Sequence, residues 1–554
     1  MADLQKKLDN GPMLNAYPDS MGGTLADIVQ VLKKDEFAEA FQSFYILPSL
    51  YHTDLDRGFS VIDYGLNDLL AKQEDLEKLS NMGMDLKLDF ILNHASVLSK
   101  EFQDIIKNGE NSKYKDFFIQ WNEFWKDNGE MTEEGYIQPY QEHIDKMFFR
   151  KPGLPILMVR MPDGKEVPYW NTFYQEIQYP IVDVQELMDA CGVQYQMAYE
   201  ITVKVNEHLL AAKNPKTLEL GRLDKYKIQV VEFLESKRKY LGQMDLNIES
   251  ELVWDYYGET LKQLSEYGAS IVRLDAFAYG PKEPGEKNFL NNPGTWDLLA
   301  GVRKLADKNN VELLPEIHAS YREQVYNEVA QKGYMIYDFF LPGLIIDALE
   351  EKNGTMLQQW GEEIISKKMK VVNMLGCHDG IPLLDLQGLI PEERIQALID
   401  IVVNRGGYVK NLHGQKNVYY QVNATYYSAL GEDDKKMLFA RALQLFMPGK
   451  PQIWYLDVFA GENDHKAVER AGAGGHKEIN RTNLSNVDIE RILHKEVVKK
   501  QLELIKFRNK CKAFHFDADI AIDSKGNKIT ICWEYEGNKA RFEGDFETLK
   551  FSVD

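Results

Sequence analysis

Three acidic residues each close a short apolar run in this 554-residue chain: Asp275 in VRLDAF, Glu316 in LLPEIH and Asp379 in GCHDG. One acid at a strand end is commonly a helix cap. Three, on strands whose tips face one mouth, can divide the work of retaining glycosyl transfer, which needs two carboxyl groups about 5–5.5 Å apart. An ionised carboxylate attacks the anomeric carbon while a protonated one donates to the departing oxygen. The third stabilises the oxocarbenium charge or grips a sugar hydroxyl. Arg273, two residues before Asp275, projects from the same side of its strand. A guanidinium within about 4–6 Å favours the charged form of a carboxyl, so Arg273 is expected to keep the attacking group ionised.

Such convergence needs a scaffold. Eight apolar runs alternate with helical patterns: MLNAYPDS from Met13, FYILPSL from Phe44, LKLDFILNH from Leu86, ASIVRLDAF from Ala269, VELLPEIH from Val311, YMIYDFFLP from Tyr334, KVVNMLGCHDG from Lys370 and KPQIWYL from Lys450. Continuous Val/Ile/Leu-rich strands bounded by helices predict an α/β fold with a parallel sheet covered on both faces. Eight of them predict a closed (β/α)8 TIM barrel, with its active site at the C-terminal strand ends. The gap from His94 to Ala269 exceeds one helix, so the connection after strand 3 carries an inserted domain. The division that follows is a barrel over 1–94 and 246–512, an inserted domain over 95–245, and a small C-terminal β-domain over 513–554, where KITICWEY and KARFEGDF alternate. Within the insert, residues from about 174 to 242 carry apolar residues at three-and-four spacing and predict helices, which could form a lid or a homodimer surface. A long loop after strand 7 runs through NRGGYVKNLHGQKN, whose paired glycines predict mobility.

Composition narrows the partners. Asp+Glu (86) outnumber Lys+Arg (65), for a formal charge of −21, so the mean field repels polyanions and nucleic acid is not expected as a partner. Four scattered cysteines make neither a disulfide framework nor a metal knot. With no run of about 18 apolar residues and no apolar leader in MADLQKKLDN, the expectation is a cytoplasmic protein that does not engage a membrane.

Taken in order, DRGF (Asp56–Phe59), DFILNH (Asp89–His94), VRLDAFAYG (Val272–Gly280), LLPEIH (Leu313–His318), CHDG (Cys377–Gly380), YYQVNATYYSALG (Tyr419–Gly431) and EINR (Glu478–Arg481) resemble the sucrose phosphorylase group of the α-amylase clan. The likeness covers nearly the whole chain except the helical insert and the extreme ends. It implies that Asp275 is the nucleophile, Glu316 the general acid/base and Asp379 the transition-state stabiliser. It further implies that His94 and His378 hydrogen-bond glucose hydroxyls and that Phe59 and Phe173 pack on the sugar ring. Asp56 and Arg481 would pair to close the far end of the glucose site, admitting one terminal glucosyl unit.

Phosphorolysis asks more of a site than hydrolysis. Millimolar phosphate must outcompete water for the glucosyl-Asp ester, which requires an anion niche in a partly dry pocket. Candidates are Arg150 or Lys151 in FRKPGLP, His318, and the hydroxyls of Tyr279 and Tyr420. Arg grips phosphate bidentately, Lys as a point charge. The family places Arg next to PGLP, where this chain has Lys151 preceded by Arg150. Tyr420 and Gln421 help choose the acceptor. Relatives acting on 6-phosphorylated sucrose carry His where Tyr420 stands, which favours plain sucrose, although His413 and Lys416 in the same loop could meet a phosphorylated sugar. Alternation between fructose and phosphate implies that the loop from Asn404 to Gln421 moves, with Gly406 and Gly407 absorbing the change. Gln243 matches a residue that in relatives follows the equivalent of Phe173 almost immediately. Here the insert separates the two, so a reshaped acceptor pocket is expected. No cofactor or metal is implied: Asn93 stands where true amylases have a calcium ligand, without the further oxygen donors that ion takes.

The expected activity is phosphorolysis of sucrose to α-glucose 1-phosphate and fructose through a covalent β-glucosyl-Asp intermediate. The alternatives are phosphorolysis of sucrose 6′-phosphate, glucosylglycerol or glucosylglycerate, and hydrolysis of α-glucosides. From another class comes a non-catalytic amylase-like transporter subunit, which needs a membrane span and tolerates the loss of carboxylates that this chain retains.

Overall fold

Short apolar strands separated by helices are stable when each strand is buried on both faces and pairs in parallel with its neighbours. The computed structural model describes residues 9–211, 213–411, 419–472 and 475–554. Its strands β1 (Met13–Ala16), β2 (Ser43–Ile46), β3 (Asp85–Ile91), β4 (Ala269–Asp275), β5 (Glu312–Pro315), β6 (Ile336–Asp338), β7 (Val371–Asn373) and β8 (Lys450–Trp454) coincide with the eight apolar runs. They form one sheet in the order β5-β4-β3-β2-β1-β8-β7-β6, with every bonded pair parallel. The sheet curls into a TIM barrel whose seam lies between β5 and β6.

The barrel interior contains a polar layer beneath the mouth. Asp89 faces Arg273 in the β3–β4 register. The Tyr45 hydroxyl donates to Asp89 at 2.9 Å. One layer lower, the fully buried Lys87 sits 3.9 Å from the Tyr45 ring centroid, bonds the Tyr337 hydroxyl and donates to Gln452 at 2.5 Å. Burial, and then the charge of Arg273, holds the Lys87 pKa well below its ordinary value. Strands β2, β3, β4, β6 and β8 thus brace the charged groups of the mouth from below.

The long third connection builds two small cores of its own. In the first, Trp121, Trp125 and Trp170 pack with Ile119, Ile137 and Met147. In the second, Leu187, Ile201, Val205, Leu223, Val230 and Leu234 unite the helices Val184–Cys191, Tyr195–Leu210 and Lys227–Ser236. Asp183 and Glu186 form a capping box at the start of the first helix, and Gly192 ends it in the left-handed conformation. The two ends of this segment are strands rather than helices. Gln175–Gln178 pairs antiparallel with residues 239–242. A two-stranded stem therefore carries the helical excursion.

The connection after β7 also differs from a simple loop. Helix Glu392–Asn404 ends near Gly406 (φ +92°), and the chain then forms an antiparallel ribbon of Tyr408–Asn411 with Tyr419–Asn423. His413 and Lys416 lie outside the described residues, as does the Tyr420 side chain. After helix Glu496–Lys510, the strands Asp519–Lys525, Lys528–Tyr535, Asn538–Asp545 and Lys550–Val553 form one antiparallel sheet. Trp533 anchors it to the barrel, its indole N–H donating to the Phe446 carbonyl at 2.7 Å. Among the described residues, no helix is long and apolar enough to cross a membrane.

Candidate active site

The C-terminal tips of β4 and β5 deliver Asp275 and Glu316 to one guanidinium. Arg273 Nη1 lies 3.1 Å from Asp275 and Nη2 2.8 Å from Glu316, while Nη1 also reaches Asp89 at 2.5 Å. Ala276 takes a left-handed conformation (φ 53°), which turns the chain directly after Asp275 into the short helix Phe277–Tyr279. Burial and the neighbouring Glu316 outweigh Arg273 and push Asp275 up to about 8. For Glu316 the balance reverses: burial opposes ionisation, but Arg273 and His318 pull it down to about 2. The two acids titrate as a pair that holds one proton at neutral pH.

Asp379 joins them from the segment after β7. Gly380 (φ +105°) sets the turn, and a Cβ there would meet the Val422 carbonyl. Asp379 Oδ1 accepts from Lys477 at 2.6 Å and lies 3.5 Å from Arg481. Oδ2 lies 3.2 Å from His378 Nε2. Burial notwithstanding, His378, Lys477 and Arg481 hold this carboxyl well below the usual range. The His378 ring stacks on Phe59 at 5.1 Å, and Phe59 in turn lies 5.4 Å from the Arg273 guanidinium. This chain of contacts brings the third acid to the same mouth as the first two.

A wall of aromatic and histidine side chains continues from there. His94 packs on Phe173 at 4.9 Å, and Phe173 on Tyr279 at 5.1 Å. His94 Nε2 donates to the Phe59 carbonyl at 3.0 Å, and the Gln243 amide donates to the same oxygen at 3.1 Å. Gln243 also accepts from the Tyr174 N–H at 3.1 Å. The strand stem thus sets Gln243 against the backbone next to Phe173 with the helical insert in place.

The anticipated Asp56–Arg481 pair is not formed among the described residues. Asp56 and Arg57 both take φ near 48°, leaving Asp56 exposed and turning Arg57 inward. Arg57 ties the two loops instead, donating to the Arg481 carbonyl at 2.9 Å and lying 4.2 Å from the Tyr17 ring centroid. Arg481 spends its donors on the His378 carbonyl (2.8 Å), Asp379 and Glu478.

Beside Glu316 opens a cavity of about 360 Å³, lined among others by Arg150, Tyr279, His318 and Asp385 under the rings of Phe148 and Phe289. His318 lies 3.0 Å from Asp385 and 3.5 Å from Glu316. Burial alone would lower its pKa, but Asp385 and then Glu316 raise it to about 10. Gln421 Nε2 lies 3.2 Å from His318 Nε2. Of the two adjacent basic residues, Arg150 faces the cavity, whereas Lys151 turns away and bonds Asn171, where burial lowers it to about 8. Of the two alternatives for the anion niche, Arg150 thus lines the cavity, while the Lys151 ammonium bonds the Asn171 amide.

Two lysines with direct roles in this geometry escaped the sequence reading. One is Lys477, on the short helix Gly475–Asn480. The other is Lys282, whose ammonium lies 2.9 Å from the buried Asp245 and donates to Asn93 Oδ1 at 3.0 Å. Asp245 also accepts from Asn93 (3.0 Å), the Thr172 N–H (2.8 Å) and the Thr172 hydroxyl (2.6 Å). A lysine therefore fills the oxygen-lined spot next to Asn93 and clamps the inserted domain to the barrel. EINR offered a faint signal for Lys477, which precedes it by one position; Lys282 had none.

No family model matches the chain. Individual proteins do. A sucrose 6(F)-phosphate phosphorylase of Ilumatobacter coccineus is 46% identical over 561 residues, covering 100% of this chain and 97% of the relative. A sucrose phosphorylase of Streptococcus mutans is 30% identical, covering 95% of this chain and 92% of its own. Among solved structures, the sucrose 6F-phosphate phosphorylase from Thermoanaerobacter thermosaccharolyticum superposes with a TM-score of 0.79 at 31% identity, covering 100% of this chain and 96% of that one.

Proposed function

We propose, from the premise that this chain belongs to the sucrose phosphorylase group of the α-amylase clan, that it is a retaining disaccharide phosphorylase whose preferred donor is sucrose phosphorylated on fructose O6. The observation that carries phosphorolysis over hydrolysis is the pair of basic side chains, Arg150 and His318, that line the cavity beside Glu316. They stand there among the carboxyls of Glu316, Glu323 and Asp385, and in a low-dielectric cleft a fixed guanidinium holds an anion against solvent. Phosphate attack on the ester then gains from positioning rather than from nucleophile concentration.

In the first step Asp275 attacks C1 of the glucosyl unit as the C1–O bond to fructose breaks, and Glu316 gives its proton to the departing oxygen. The single proton of the acid pair must sit on Glu316 at that moment. A glycosidic oxygen placed against Glu316 favours this, because a neutral acid donates to it while the emptied Asp275 keeps its contact with Arg273. In the second step a hydrogen phosphate oxygen attacks C1 and the ester bond to Asp275 breaks, giving α-glucose 1-phosphate and the free carboxylate of Asp275, while the phosphate's proton returns to Glu316. Asp379 faces the positive charge that develops on the ring in both steps.

Two relatives bearing the 6(F)-phosphate name support the phosphorylated donor, one of them far closer in sequence than the sucrose phosphorylase. The type of residue 420 supports a second reading, plain sucrose. The cytoplasm suits either donor, since phosphate is at hand there and the four unpaired cysteines stay reduced. Incubation of the protein with each donor, with and without phosphate, tests both points. Glucose 1-phosphate formed only with phosphate supports phosphorolysis, and equal free glucose in both refutes it. A higher kcat/KM for plain sucrose transfers the preference to the second reading.

A further inference from the structure

Arg481 and Lys477 approach the same oxygen of Asp379, at 3.5 and 2.6 Å, yet they differ in exposure. The Arg481 side chain is 3% exposed and also donates to the His378 carbonyl, with Glu478 3.6 Å away. Lys477 is 32% exposed and, among the described residues, Asp379 is its hydrogen-bond acceptor. An ammonium carries three N–H donors, and one carboxylate oxygen occupies one of them. Asp56 lies within electrostatic reach of Lys477 on the open side. The short helix Gly475–Asn480 thus holds a partly exposed ammonium against the stabilising acid and within electrostatic reach of Asp56.

From this geometry we infer that Lys477 is a glucose-binding residue: its ammonium, anchored by Asp379, donates to a hydroxyl of the bound glucosyl unit next to the one that Asp379 accepts from. The inference rests on the reading of the site as a glucosyl-transfer centre. A charged donor that reaches both a carboxylate and an adjacent hydroxyl gains when the ring takes up positive charge, because Asp379 can turn toward the sugar without losing its own partner.

The test uses the full chain with α-glucosyl fluoride as donor and inorganic phosphate as acceptor, so that neither fructose recognition nor acid catalysis enters. Wild-type protein that fails to convert glucosyl fluoride and phosphate to glucose 1-phosphate and fluoride overturns the glucosyl-transfer reading itself, and the inference with it. Given wild-type turnover, Lys477→Met should lower kcat/KM for glucosyl fluoride by about 10–100-fold while leaving KM for phosphate unchanged. The 3-, 4- and 6-deoxy analogues then supply the discriminating readout. With one of them the wild type and Lys477→Met should react alike, since the hydroxyl that the lysine meets is gone. An equal loss across all analogues, or no loss with the parent donor, overturns the inference. Lys477→Gln, which keeps two uncharged donors, repeats the comparison if Met lowers the melting temperature, and is judged by the same criterion.

Discussion

Asp275 and Glu316 share one guanidinium, so neither can be titrated alone. With Asp275 raised to about 8 by burial and Glu316 held at about 2, the pair keeps one proton between those limits. Above pH 8 the last proton leaves, both acids are negative and no group can protonate the departing fructosyl oxygen. The kcat/KM for the disaccharide should therefore fall by about tenfold per pH unit on the alkaline side, whereas glucosyl fluoride, whose leaving group needs no proton, should show no such fall. A pair of pH–rate profiles checks this. Asp275→Asn should lose at least about 10⁴-fold in turnover with either donor, because the amide cannot form the ester. Glu316→Gln should lose about 10²–10⁴-fold with the disaccharide and far less with the fluoride. Asp275 and Glu316 were legible in the sequence because each ends an apolar strand, and Asp379 because CHDG follows one. The cations around them were not all so. Arg150 and Lys151 are adjacent in sequence, and only the packing of the insert decides that one faces the cavity and the other Asn171.

At the scale of elements, the eight strands announced themselves as short runs rich in Val, Ile and Leu between helical patterns, although β3 (DLKLDFI) and β8 (KPQIW) carry the charged and amide groups of the inner layer. What joins the elements carried no such mark. Asp245 meets Asn93 across 152 residues, and Lys477 meets Asp379 across 98, and neither distance leaves a period in the sequence. These contacts nevertheless have measurable weight. Lys282→Met leaves the Asp245 carboxylate buried without its cation, which should cost about 3–5 kcal/mol, read as a lower urea midpoint at unchanged m-value. The two basic neighbours on the loop before PGLP should separate cleanly in kinetics. Arg150→Leu should raise KM for phosphate by about 10–100-fold and shift product toward free glucose, as expected for losing charge-assisted hydrogen bonds. Lys151→Met should leave that partition unchanged.

The whole molecule is a barrel with attachments of unequal consequence. The helical excursion has its own core and returns on the strand pair of Gln175–Gln178 with residues 239–242, so its removal leaves the site's residues in place. A variant joining Gln178 to Lys239 through a short Gly-containing turn should fold and keep kcat within about threefold. That outcome, read by thermal melting and by initial rates, would rule out a lid. A halved mass in sedimentation would identify the excursion as a homodimer surface.

Glu316 rides on β5, and β5 faces β6 across the seam without a bonded ladder. A ring cut at one place is most compliant at the cut. Breathing of this barrel should therefore be concentrated on the side where the leaving group exits and the incoming anion arrives. The arc of β3 and β4, stitched on both edges, stays stiff around the glucose it grips.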